Sequence, residues 1–251
     1  MAFDKARIRF RKAGDLRLVS HLDLMRAVER LLRRAAVPFR STAGFHPAPR
    51  VVFAQSLPLG VVGHAEVVEI EFIEPVEPDD LLTRLRAHAP PGVEFLTAAR
   101  IPLAAVARPR RAVYRLAAGD ISDLPARCSD FLAATEIWAD RERPTPRQIN
   151  IRPYVDSLAA DGDAVVASVW LTQAGSARAN EIGRALGLPD DGAIERTDLE
   201  VLDEVTPEEA ARTPTIPPQT RPYQRPILAG PAPVATPREV WGATSNGPIV
   251  E

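Results

Sequence analysis

An α+β fold in two consecutive units, followed by a proline-rich tail, is what the sequence predicts. Three observations lead there. Segments of period-2 alternation and segments of helical period follow one another as strand, helix, strands, helix, strand over residues 1–104. The same order returns over 110–205. From 206 onward large apolar groups thin out, and residues 213–251 hold 9 prolines in 39 positions. With short antiparallel connections and two helices per unit, the economical solution is a sheet covered on one face, the ferredoxin-like βαββαβ arrangement. The expectation is two tandem ferredoxin-like units, 1–104 and 110–205. The tail, 206–251, is expected to be disordered because burial cannot offset its ordering entropy.

In the first unit "RIRFRK" sets Ile8 and Phe10 against Arg7, Arg9 and Arg11, the pattern of a half-buried strand. "AGD" (13–15) turns the chain, and Ser20 is placed as a helix N-cap with Asp23 three residues on. Leu22, Met25, Val28, Leu31, Leu32 and Ala35 form an apolar stripe that leaves Arg26, Arg30, Arg33 and Arg34 outside. Pro38 stops that helix. Strands are expected at 50–57 and 65–73, the second with Val68, Ile70 and Phe72 on one face and Glu69 and Glu71 on the other. An acid-opened helix over 78–89 and a strand over 93–101 complete the unit. The second unit reads as strand 111–118, helix 122–134, strand 135–142, and a hairpin of 147–155 with 164–171. Helix 176–188, with Gly187 near its end, and strand 193–202 close it.

The bulk properties exclude several classes. With 251 residues, 45% hydrophobic and 25% charged, the composition is that of a soluble protein. No apolar run approaches the roughly 18–20 residues of a membrane span, and "MAFDKARIRFRK" lacks an apolar signal core, so a cytoplasmic protein without membrane contact is expected. The single cysteine, Cys128, excludes an internal disulfide framework and a three-cysteine iron–sulfur cradle, and its apolar neighbours make it a packing thiol. There is no Gly-rich phosphate loop, no metal-spaced Cys/His set and no G-x-S-x-G elbow. No metal and no cofactor are expected.

The net charge of −2 conceals segregation. Residues 1–60 carry 12 Lys/Arg against 4 Asp/Glu, whereas 154–212 carry 4 against 13. A basic first block suggests an anionic partner such as RNA. Arg7, Arg9, Arg11, Arg26, Arg30 and Arg50 are the candidate RNA- or anion-binding residues, since guanidinium forks suit phosphates. The loop "GFHPAPRVVFAQSLPLG" (44–60) is stiffened by Pro47, Pro49 and Pro58, and Gly44 permits positive φ. Phe45, His46 and Arg50 are thereby presented on a backbone that loses little entropy on binding. Gly60 closes the second rigid turn. His21, at the first turn of the helix, is disfavoured as an imidazolium there and is the candidate acid or base if the chain is an enzyme. His64 and His88 read as surface residues.

The stretch "KAGDLRLVSHLDLMRAVERLLRRAAVPFRSTAGFHPAPRVVFAQSLPLGV" resembles the N-terminal signature of the uncharacterised radical SAM-linked protein family. Lys12, Gly14, Ser20, His21, Leu22, Asp23, Arg26, Gly44, Phe45, Pro47, Pro49, Leu57, Pro58 and Gly60 match its pattern, while His46 stands where relatives carry Asn or Ser. The resemblance implies a stand-alone module working beside a radical SAM protein with a cobalamin-type domain, since one cysteine cannot ligate the cluster such chemistry requires. A fainter, fold-level likeness is to tandem ferredoxin-like RNA-binding proteins of CRISPR systems, some of which cleave RNA with a histidine near the first helix.

The resulting expectation is a non-catalytic accessory protein that binds tRNA or another structured RNA through its basic first unit, in support of a radical SAM partner. The alternatives are a protein-interaction scaffold without RNA binding and a metal-independent endoribonuclease using His21.

Overall fold

A computed structural model describes residues 4–223. Its first half runs β1 (Asp4–Lys12), a 3-10 turn (Gly14–Leu18), α1 (His21–Arg34), β2 (Val51–Phe53), β3 (Val62–Phe72), α2 (Pro78–His88) and β4 (Val93–Arg100). The second half runs β5 (Pro109–Ala117), α3 (Leu124–Ala133), β6 (Trp138–Arg141), β7 (Arg147–Asn150), β8 (Val155–Asp161), β9 (Ala164–Trp170), α4 (Ala179–Leu186) and β10 (Ile194–Val201). Then come α5 (Pro207–Ala211) and β11 (Thr220–Pro222). The described residues thus form a mixed α+β protein with five helices and two sheets. None of the helices is long and apolar enough to cross a membrane.

One eight-stranded sheet runs through both halves in the order β4-β1-β3-β10-β5-β9-β8, with β2 also paired to β3. The eleven residues of β3 make this possible. Its far end pairs with β2 through Val68 and Ile70, and its near end runs parallel to β10 at Val62–Glu195 and Gly63–Arg196. Strand pleat then assigns the faces. Ala6, Ile8 and Phe10 of β1 pack with Val68, Ile70 and Phe72 of β3 under α1 and α2. Ala112, Tyr114 and Leu116 of β5 do the same under α3 and α4 with Val165, Ala167 and Val169.

The seam between β3 and β10 is crossed by ion pairs on both faces. On the helical face Arg196 grips Glu66. On the other, Arg7 is bonded to Glu69 at 2.7 Å within its own half and to Asp203 at 2.8 Å and Glu204 at 3.0 Å across the seam. Lys5 joins Glu69 at 2.7 Å, and Arg9 reaches Glu204. His64 is partly exposed here, its Nε2 2.9 Å from Glu195. The acidic second half thus neutralises part of the basic first block from within.

Several expectations need correction. The α1 stripe is split: Leu24, Val28, Leu31, Leu32 and Ala35 are buried, whereas Leu22 and Met25 are exposed at 65% and 38%. A helix turns about 100° per residue, so Leu24, not Leu22, is in phase with Val28 and Leu31. The expected strand 50–57 stops at Phe53, because Pro58 and the turn before it draw the chain away from β3. The expected strand 147–155 is broken in two: β7 pairs with β6 in a separate sheet, and the pairing of β8 with β9 begins only at Val155. A 3-10 turn at Arg152–Tyr154, with Pro153 withholding an N–H, forces the break.

The expected disordered tail also starts too early. Thr206 caps α5 by accepting from the Glu209 N–H, Ile216 is buried against the second core, and β11 adds to β7. Arg221 stacks on Trp138 at 3.9 Å. The rest of that tail, 224–251, lies outside the described residues.

Glu69→Ala should cost about 3–5 kcal/mol in urea denaturation, since it leaves Lys5 and Arg7 buried without their shared carboxylate. Acid should weaken the seam too. Burial raises the Asp203 carboxyl, but its bonds to Arg7 outweigh this and hold it below the ordinary value. Its contribution is therefore complete above the unfolded value of about 3.9 and is lost as pH falls through the lower folded one. Asp203→Asn should flatten that part of the stability–pH curve.

Candidate nucleic-acid interface

The residues singled out around α1 are built as follows. Ser20 Oγ accepts from the Asp23 N–H at 3.2 Å, capping the helix, and donates to the Asp23 carboxylate at 2.7 Å. Asp23 in turn accepts from Arg26 at 3.1 Å. The Ser20 hydroxyl first, and Arg26 next, hold the Asp23 carboxyl below the usual carboxylate range. His21 is half-buried, and its ring meets the Phe53 ring edge-on at 5.2 Å. This contact fixes the start of the helix against β2.

The loop after α1 is a small hairpin. Ser41 bridges to Pro49, the Thr42 N–H donates to the Ala48 carbonyl at 2.8 Å, and the Ala48 N–H donates to Thr42 Oγ1 at 3.1 Å. At its tip Gly44 has φ +133, where a side chain would be strained, although space around it is open. Phe45 is fully exposed at 102%, with His46 and Pro47 exposed beside it. At the base, Ala48, Pro49 and Val51 face Leu22, Met25, Arg26 and Glu29 of α1 across a groove of about 160 Å³. The second turn is anchored at both ends: Leu57 is buried, and the Gly60 N–H donates to the Arg17 carbonyl at 2.8 Å. Pro58 and Leu59 between them are exposed.

The six arginines do not converge. Arg7 is 4% exposed and its guanidinium is spent on Glu69, Asp203 and Glu204, so it presents nothing to solvent. The Glu69, Asp203 and Glu204 bonds outweigh burial and raise its pKa further. Arg9 is bound to Glu204 and to the Ala65 and Leu199 carbonyls. Both point to the face opposite α1, as pleat requires of neighbours of Ile8 and Phe10. Arg11 is exposed near the end of β1. Arg26 and Arg30 are exposed on the helical side, Arg26 paired with Asp23, whereas Arg50, opposite Glu71 in the β2–β3 pairing and 3.9 Å from its carboxylate, is exposed on the other face. What remains outward on the α1 side is a smaller set, Arg26 and Arg30, with Phe45 exposed on the hairpin whose base faces Arg26.

A family model described as an uncharacterized protein conserved in bacteria (DUF2344) matches residues 5–182. The chain belongs to this family. No curated protein matches it. The matched region takes in α1, both rigid turns and β3, and ends within α4.

This DUF2344 chain also holds a buried charge cluster that the sequence reading missed. Arg196 and Lys12 are each 1% exposed and Glu66 is 3% exposed. Arg196 bonds both Glu66 oxygens, the Nε contact at 2.8 Å. Its remaining N–H groups point to the Ser56 and Gln55 carbonyls at 3.4 Å. Lys12 Nζ donates to the Val19 carbonyl at 2.9 Å. Burial lowers the Lys12 pKa, with Glu66 opposing. One signal was available: Glu66 is in phase with Val68, Ile70 and Phe72, on the face where apolar residues belong. A carboxylate there needs a buried cation.

Gly63 lets this pair form, since a Cβ at that position would come within 2.5 Å of the Glu66 carboxylate. Gly63→Ala should destabilise this DUF2344 chain by about 1–3 kcal/mol in urea denaturation. Ser20→Ala should cost about 1 kcal/mol by removing the cap.

Proposed function

We propose that this chain is an RNA-binding accessory protein, acting in the cytoplasm in support of a radical SAM partner. The observation that carries the RNA reading is what stays outward after internal pairing. Arg26 and Arg30 remain exposed on the helical side, and Phe45 is exposed on the proline-stiffened hairpin whose base faces Arg26. Guanidiniums take phosphates and an exposed ring takes a base, the combination used for single-stranded segments of RNA. The hairpin bonds and prolines keep the ordering entropy of such a contact low. The radical SAM association rests on the resemblance of residues 7–72. Its supporting role fits a chain with a single cysteine, which is buried and whose thiol pKa burial raises.

We also read the two halves as tandem ferredoxin-like units. What supports this is the order β4-β1-β3-β2 in one and β10-β5-β9-β8 in the other, each with helices after its first and third sheet strands. On that reading β6 and β7 are an insertion in the second unit.

A second reading, a scaffold that docks a protein, is favoured by the exposed Leu18, Leu22 and Leu59 around the same helix start. The endoribonuclease reading has less behind it, since the His21 ring is occupied by Phe53.

Fluorescence anisotropy with a structured RNA bearing single-stranded loops decides between the first two. Binding should fall with salt with a log–log slope of about −1.4, as two phosphate contacts on a single strand require. Arg26→Glu with Arg30→Glu should weaken it at least about tenfold, and Phe45→Ala should cost about 1–3 kcal/mol. No binding at low salt removes the RNA reading and leaves the scaffold.

A further inference from the structure

The helical side of the sheet holds a second concavity, away from the α1 hairpin. It is a cleft of about 480 Å³ between the turn 55–61 of the first half and the start of α4 in the second. Its floor is the seam itself, where Arg196 of β10 stands beside Tyr114 of β5. The volume lies in the range of small-molecule sites. Its walls combine Leu59 and Ile194 with Ser56, Asn180 and Arg178.

Its electrostatics are unbalanced. At and behind the floor, Arg196 and Lys12 have one buried carboxylate, Glu66, between them. Lys12 is bonded to a single carbonyl among the described residues. At the rim, Arg178 has its side chain 57% exposed and its nearest carboxylate, Glu181, at 3.9 Å. Glu181 is already committed to Arg141 through bonds of 2.6 and 2.8 Å. One rim cation is therefore free, above a floor with a surplus positive charge. A low-dielectric cleft in that condition favours an anion. Apolar walls beside a few amide and hydroxyl groups suit a flat heterocycle attached to it.

We propose that this cleft binds one nucleotide, its phosphate at Arg178 and its base between Leu59 and the Asn180 side. The inference rests on the RNA reading in one respect only: the nucleotide comes either from a free pool or from the RNA held by α1 and the hairpin. The second source makes the cleft a pocket for one unstacked residue, which the seam geometry keeps preformed. The Gln55 and Ser56 carbonyls facing Arg196 hold the first wall, and the Arg141–Glu181 pair holds the second.

Calorimetry on the full chain with the four nucleoside 5′-monophosphates, the matching nucleosides and inorganic phosphate tests the free source. Anisotropy with the structured RNA tests the bound one. Arg178 and Asn180 are exposed, so Arg178→Glu and Asn180→Ala leave the core alone. Mononucleotide binding that falls at least about tenfold in Arg178→Glu, and changes base preference in Asn180→Ala, supports a free nucleotide. RNA binding that weakens at least about fivefold in Arg178→Glu, without mononucleotide binding, supports an RNA residue. RNA binding lost in Arg26→Glu with Arg30→Glu but unchanged in both cleft variants, with no mononucleotide binding, overturns the cleft and keeps the RNA reading. Mononucleotide binding in a chain that binds no RNA does the reverse. No binding of either probe, or binding that none of these variants alters, overturns the cleft proposal.

Discussion

The seam between β3 and β10 depends on buried carboxylates of β3 being matched by cations. Moving a charge from water into a protein interior costs several kcal/mol even after relaxation, so each such group must find its partner or the fold does not close. Glu66 on the helical face takes Arg196 from the second half. Glu69 on the other face takes Lys5 and Arg7, and Arg7 then reaches Asp203 and Glu204. The parallel pairing itself involves only Val62, Gly63, Glu195 and Arg196. So short a ladder supplies little cohesion. The ion pairs above and below it hold the register and join two separate apolar cores into one sheet.

That requirement reshapes what the charge pattern means. A basic first block suggests a polyanion, but in this chain Arg7 and Arg9 of β1 are consumed by the acids of the second half. Segregation along the sequence is partly complementarity between neighbours in space. The cations that remain outward on the helical side are those of α1, which face solvent on the side away from the pairing carboxylates. Their number is modest, so any anion held there needs added contact from Phe45 and from a backbone already in its bound shape.

Much of the fold was legible because its period signals are local. Ile8 and Phe10 against Arg7 and Arg9, or Val68 and Ile70 against Glu69 and Glu71, state a strand and its two faces without reference to the rest. The Ser20 cap and the Gly187 helix end, at φ +69, are equally local. What was illegible depended on long-range pairing. Nothing near Arg7 announces Asp203, which lies 196 residues away. The departure of β7 into its own sheet depends on β11 and β6 closing around it. Leu22 and Met25 looked like core because a generous apolar stripe absorbs them. Only the crossing of α1 over the sheet decides that Leu24 takes the inner position.

The same geometry explains why the seam and the cleft above it belong together. A guanidinium fixed by two carboxylate oxygens on one side has N–H groups left for the other, and here they meet the Ser56 and Gln55 carbonyls. The turn that carries Pro58 and Leu59 is thereby tied to the second half, though it belongs by sequence to the first. Anything bound between that turn and α4 would touch both halves at once. Such a ligand adds its free energy to the closure of the seam and so stabilises the joined state by mass action. A loop that is costly to order, two prolines in its hairpin and a third in its second turn, then serves two surfaces: the outer α1 groove and, ten residues later, one wall of a preformed cleft.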